Sequence, residues 1–157
     1  MSRTAYVNGA YVPLTHASVS IQDRGFQFAD AIYEVWAVRG GRLFDADLHM
    51  ARLFRSLAEL RIAIPMGGGA LFAVLRETLR RNRVRDGIVY VQVSRGVAGR
   101  DHAFPSASVR PTLIVTAKTL DKSLIEKRAA AGVKILSTPE TRWARRPSWW
   151  STRCFCT

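Results

Sequence analysis

Three residues of this 157-residue chain form a set that could hold a carboxylate. Tyr33 falls in a β-prone run, and Arg100 and His102 stand two positions apart in the loop Gly99-Arg100-Asp101-His102-Ala103-Phe104-Pro105. A guanidinium offers planar, bidentate charge, while an imidazole and a phenol each add a single donor. The same residues also fit a plainer arrangement, with Arg100 solvated, His102 packed on Phe104 and Tyr33 an ordinary strand aromatic. No other catalytic pattern competes. His16, His49 and His102 are scattered, and Cys154 and Cys156 sit together at the end without a nearby histidine, so neither a zinc set nor a disulfide framework is indicated. Gly67-Gly68-Gly69 lacks the following Lys-Ser/Thr of a phosphate loop and reads as a linker.

The elements that must position these residues follow from local chemistry. Asn8-Gly9 between two β-prone runs predicts a hairpin, because both turn positions need positive φ. A loop is expected through residues 23–30. Residues 31–38 then alternate as a strand, with Tyr33, Val35 and Ala37 on one face and Ile32, Glu34 and Trp36 on the other. Gly40-Gly41 closes it into a short return at 42–44. Asp47 is the expected N-cap of a helix to Arg61, with Leu48, Ala51, Leu57 and Leu60 on its apolar stripe. A second helix is expected at about 70–82, and further strands at 87–95 and 112–117. Residues 119–131 are polar and suit a linker, and 133–137 suit a new strand. The expected class is α+β: an antiparallel sheet with two helices over residues 1–118, a linker at 119–131, the start of another domain at 132–145 and an aberrant tail at 146–157.

The charge is +12, with 24 Lys+Arg against 12 Asp+Glu, but the excess is spread along the chain rather than gathered in one patch. That argues against nucleic acid as the partner. No apolar run is long enough for a membrane span and no secretory pattern opens the chain, so the expected compartment is the cytoplasm.

The run Asp23-Arg24-Gly25-Phe26-Gln27-Phe28-Ala29-Asp30-Ala31-Ile32-Tyr33-Glu34-Val35 resembles the signature of class IV (fold type IV) pyridoxal-phosphate aminotransferases. So do His49-Met50-Ala51-Arg52-Leu53 and Thr141-Arg142-Trp143-Ala144-Arg145, in the same order. The Arg100/His102 loop resembles that of the D-amino-acid members and argues against the branched-chain ones. The resemblance implies a small N-terminal domain, pyridoxal 5'-phosphate in a cleft and a homodimer as the working unit. It also implies an amino acid and a 2-oxo acid as substrates, as in D-alanine plus 2-oxoglutarate giving pyruvate plus D-glutamate. Arg52 matches the cofactor-phosphate arginine. Tyr33, Arg100 and His102 match the residues that hold the substrate carboxylate, partly across the dimer.

One departure stands against catalysis. The Schiff-base lysine of the family falls, by counting forward, at Trp149, and no lysine follows Lys134. Tryptophan has no basic nitrogen for either the imine or the proton shuttle. With no acidic residue after Glu140 and 20 Arg against 4 Lys, the stretch from about Arg146 is expected to be an out-of-frame reading of a GC-rich gene, leaving a non-catalytic fragment whose second domain is missing. The alternatives are a branched-chain-type aminotransferase, and a non-enzymatic module that pairs with a full-length homologue.

Overall fold

The computed structural model describes residues 3–132 and 134–137. The chain divides into two compact units, Met1–Leu120 and Asp121–Thr157. The first holds a six-stranded, wholly antiparallel sheet in the order β2-β1-β6-β5-β3-β4. Its strands are β1 (Thr4–Val7), β2 (Ala10–Pro13), β3 (Ala31–Arg39), β4 (Arg42–Leu43), β5 (Gly87–Ser94) and β6 (Thr112–Thr119). The helices of this unit are α1 (Arg24–Phe28), α2 (Ala46–Glu59) and α3 (Gly68–Arg81).

The β1–β2 turn is the expected one, with Asn8 at φ 47° and Gly9 at φ 104°. Asn8 does a second job: its amide donates to the Leu113 carbonyl, and its side-chain oxygen accepts from the Leu113 amide, which seats the hairpin on β6. The expected alternation of β3 holds, with Ile32, Glu34, Trp36 and Val38 buried. These align across the sheet with Val93, Val91, Val89 and Gly87, and then with Leu113, Val115, Ala117 and Thr119 on β6. α2 and α3 close over this face, and Leu53, Leu57, Leu71 and Leu75 bury almost completely among its valines and Trp36.

Several local expectations are corrected. Residues 24–28 form one helical turn instead of a loop: Asp23 caps it by accepting from the Gly25 amide, and Ala29 ends it in the left-handed region at φ 54°. Asp45, not Asp47, is the N-cap of α2, and Asp47 sits in the first turn, where its charge suits the helix dipole. The buried stripe of α2 is Met50, Leu53 and Leu57; Leu48, Ala51 and Leu60 face solvent. Two apolar stripes compete on this helix, and the one with the larger side chains takes the core. Gly67 is the N-cap of α3 and Gly68 lies within its first turn, close to the Phe54 ring, so this glycine run starts a helix.

In the second unit, α4 (Lys122–Ala131) occupies most of the stretch expected to be a linker. Asp121 caps it by accepting from the Ser123 and Leu124 amides, and no residue of this helix is buried. Residues 134–137 form no strand, contrary to expectation. Val133, Trp149 and the tail at 146–157 lie outside the described residues.

Candidate functional site

Glu34 points into the helix-covered face of the sheet between Ile32 and Trp36, and its side chain is 2% exposed. A carboxylate buried so deeply needs donors on both oxygens. α2 supplies them: Arg52 makes a two-pronged contact through Nε and Nη2, and His49 Nδ1 lies 3.0 Å from Oε1. The Val35 amide adds a third kind of donor at 2.9 Å. His49 also packs against the Trp36 indole, whose Nε1 donates to the Ala46 carbonyl at the start of α2. The hydrogen bond to Glu34 raises the Arg52 pKa above its ordinary value against the opposing effect of burial. Arg52 is thus a charged donor in a set orientation, with 31% of its side chain exposed.

Tyr33 projects from the opposite sheet face, 51% exposed and stacked on Tyr90 at 5.7 Å. Its cross-strand partner Gln92 lines a cleft of about 360 Å³ together with Asp23, Gly25, Phe26, Ser94 and Thr112. Asp23 roots this corner by accepting from the Ser94 hydroxyl at 2.9 Å, which in turn accepts from the Gly96 amide. Gly96 has φ 108°, and a Cβ there would meet the Arg110 carbonyl oxygen at 2.0 Å, so only glycine fits where the chain leaves β5 for the Arg100 loop.

Arg100 and His102 come together around Phe28 of α1. The Arg100 guanidinium carbon and the His102 ring each lie 5.6 Å from the Phe28 ring centre. His102 therefore rests on Phe28, whereas Phe104 lies under the Arg95 guanidinium at 4.6 Å. Both polar side chains are exposed. Among the described residues, no hydrogen bond or ring contact joins Tyr33 to either of them.

Three members of this region were not singled out by their own sequence context: Arg24, Asp30 and Arg95. Arg24 donates through Nε to Asp30 and through Nη1 to the Asp101 carbonyl, and Arg95 grips both Asp30 oxygens. The one available signal concerned Glu34 instead, since a carboxylate in phase with buried Ile32 and Trp36 demands a cation. Among the described residues no group of three or more His, Cys, Asp or Glu side chains is placed to hold a metal ion, and no helix is long and apolar enough to cross a membrane.

The sheet with its two covering helices matches solved aminotransferases in fold. The branched-chain amino acid aminotransferase of Escherichia coli superposes with a TM-score of 0.78 at 18% identity, over 94% of this chain and 50% of that one. The branched-chain aminotransferase of Thermoproteus uzoniensis with norvaline gives 0.63 at 19% identity, over 78% and 42%. The family profile for amino-transferase class IV matches residues 31–154, and the chain belongs to this family. That match runs to residue 154, through part of the stretch from about Arg146 that is expected to be out of frame. Among relatives, the chain is 34% identical over 140 residues to the D-alanine aminotransferase of Staphylococcus haemolyticus, covering 89% of this chain and 49% of the relative. It is 38% identical over 138 residues to that of Bacillus licheniformis, covering 88% and 48%. The chain thus spans about half the length of the relatives it matches.

Proposed function

We propose that this chain carries the substrate-carboxylate side and one phosphate contact of a pyridoxal-phosphate aminotransferase acting on D-amino acids, with D-alanine and 2-oxoglutarate as the pair. The observation that carries this is the gathering of Arg100 and His102 on Phe28 in a chain most of whose length aligns with D-alanine aminotransferases. A carboxylate held by an arginine fork and an imidazole is fixed in rotation, and that decides which stereoisomer turns its Cα–H toward the base. Tyr33 stands apart from the pair within one chain, which agrees with a site completed across a homodimer.

Pyridoxal phosphate, when bound, supplies the electron sink for charge developing at Cα. The residues present fit its phosphate: Arg52 is charged, fixed by Glu34 and partly exposed. They do not fit its covalent attachment, because Trp149 occupies the place assigned to the lysine. The proposed state of the chain is therefore non-catalytic.

Two measurements test this. Purified chain treated with pyridoxal phosphate and borohydride should show no stoichiometric adduct, and no transfer from D-alanine; either one would overturn the inactive assignment. A chimera in which residues 1–145 replace the matching half of the Bacillus licheniformis relative restores a lysine. It should use D-alanine and ignore L-leucine, and Arg100→Ala within it should raise KM roughly tenfold or more, as expected for a lost charge-assisted pair. Preference for L-leucine would transfer the chain to the branched-chain branch.

A further inference from the structure

We propose that Arg24 is a positioning residue for the loop bearing Arg100 and His102, and that Asp30 and Arg95 complete a clamp gripping this loop at two points. The inference rests on the carboxylate-binding reading of Arg100 and His102 and names what holds them.

The Arg24 side chain is 4% exposed, a depth at which a guanidinium must be paired. It donates through Nε to Asp30 Oδ2 at 2.9 Å and through Nη1 to the Asp101 carbonyl at 2.8 Å. Its guanidinium carbon lies 4.7 Å from the Phe28 ring centre. Asp101 stands between Arg100 and His102, so the gripped carbonyl belongs to the residue that separates the two ligand-facing side chains. Phe28 is the shared floor, contacted by Arg24, Arg100 and His102. The second grip is Arg95. It makes two bonds to Asp30, at 2.7 and 2.9 Å, and two more to the Leu60 and Arg61 carbonyls just beyond α2. Its guanidinium covers Phe104 at the far side of the loop. Within the loop, the Asp101 carboxylate accepts from the Ala103 amide at 3.2 Å.

The Asp30 pairs tie elements of the fold together, but core packing does not account for the contacts that Arg24 and Arg95 make to the loop itself. Arg100, His102 and Phe104 are all exposed, Phe104 at 74%, so the loop buries little and contributes little core. An exposed loop with so few apolar contacts normally moves. Ordering it costs about 1–2 kcal/mol of backbone entropy per residue. Two arginines sharing one carboxylate hold it before any ligand arrives, so that cost is not taken from the binding of a carboxylate. Lysine at position 24 could satisfy Asp30 as a point charge but could not also reach the Asp101 carbonyl in the same fork.

The test uses the full 157-residue chain, isotope-labelled, read by the His102 ring resonances, amide exchange at residues 101–104 and titration with propionate. In Arg24→Lys, the His102 resonances should move toward those of exposed His16 as the ring leaves Phe28. Exchange at 101–104 should quicken roughly two- to tenfold, the weight of one hydrogen bond, and propionate affinity should fall by a similar factor. The β5 amides should be unchanged. Phe104→Ala removes the exposed ring beneath Arg95 and tests the second grip alone; it should quicken exchange in the same segment, and if Arg24→Lys does not fold, Asp30→Asn, which takes the shared carboxylate from both arginines, should give the same readout. Unchanged His102 resonances and exchange in a folded Arg24→Lys, or unchanged exchange in Phe104→Ala, overturn the clamp. Arg100→Ala separates the two readings. It should abolish propionate binding and leave exchange at 101–104 as it was. If propionate binding is indifferent to Arg100, the carboxylate assignment falls, while the exchange result still supports or overturns the clamp.

Discussion

At the scale of single residues, Glu34 shows how a buried charge organises its neighbours. Its two oxygens take Arg52, His49 and the Val35 amide, so an amide in place of the carboxylate removes this counter-ion from Arg52 and sets an NH2 where one acceptor oxygen stood. Glu34→Gln should lower stability by about 1–3 kcal/mol in urea unfolding, the range for a charged hydrogen bond discounted for the exposed third of Arg52. The same variant should weaken retention of inorganic phosphate, because the guanidinium loses its fixed direction. Equal stability of the two proteins would show that the pair contributes nothing net.

At the scale of elements, Asp30 joins α1, the start of β3, the end of β5 and the carbonyls that follow α2 through Arg24 and Arg95. Burial pushes its carboxyl up, but the hydrogen bonds from Arg95 and Arg24 outweigh this and hold it below the ordinary value. A folded-state pKa below the unfolded one means that the charged form stabilises the fold. This contribution is complete above about pH 4, the unfolded carboxylate value, and is lost as pH falls through the lower folded value. Asp30→Asn should therefore be less stable than the parent at pH 7, and the gap should close as pH falls through the lowered folded value of Asp30. Glu77, drawn down to about 2 by hydrogen bonds from Arg80 and Arg81, titrates in the same acid range in both proteins and cancels from the difference. A gap that persists undiminished into acid would separate the clamp from the charge of Asp30.

At the scale of the whole molecule, the division after Leu120 sets where the chain should be vulnerable. α4 has ten residues, none of them buried, and a helix of that length is marginal in water without packing. Trypsin should cut first at Lys122, Lys127 or Arg128 and leave a resistant piece ending near Leu120, identifiable by mass. A first cut inside the β3–β5–β6 sheet would mean that the larger unit is the weaker one. Among the described residues, the sheet face that bears Tyr33, Val35 and Tyr90 has no helix of the α2–α3 layer over it, which suits a surface shared with a second chain in the proposed dimer.

The hairpin at Asn8-Gly9, the alternation of β3, and the strands β5 and β6 were legible from sequence because each depends on consecutive residues: turn φ values and a period of two. The family was legible too, since its motifs are short runs in a set order. The phase of α2 was not, because Leu48 with Ala51 and Met50 with Leu53 and Leu57 are both acceptable stripes until β3 chooses between them. The short helix at 24–28 was not legible because its local cap, Asp23 on the Gly25 amide, is held in place by Ser94 at the end of β5 and by the Gly96 carbonyl just beyond it. Residue types marked Tyr33, Arg52, Arg100 and His102 as candidates, but only the tertiary structure decided what surrounds them. Glu34 meets Arg52 from 18 positions away, Asp30 meets Arg95 from 65, and Arg24 meets Asp101 from 77. Pairings over such distances follow from how the sheet and helices stack, and no local pattern along the chain encodes them.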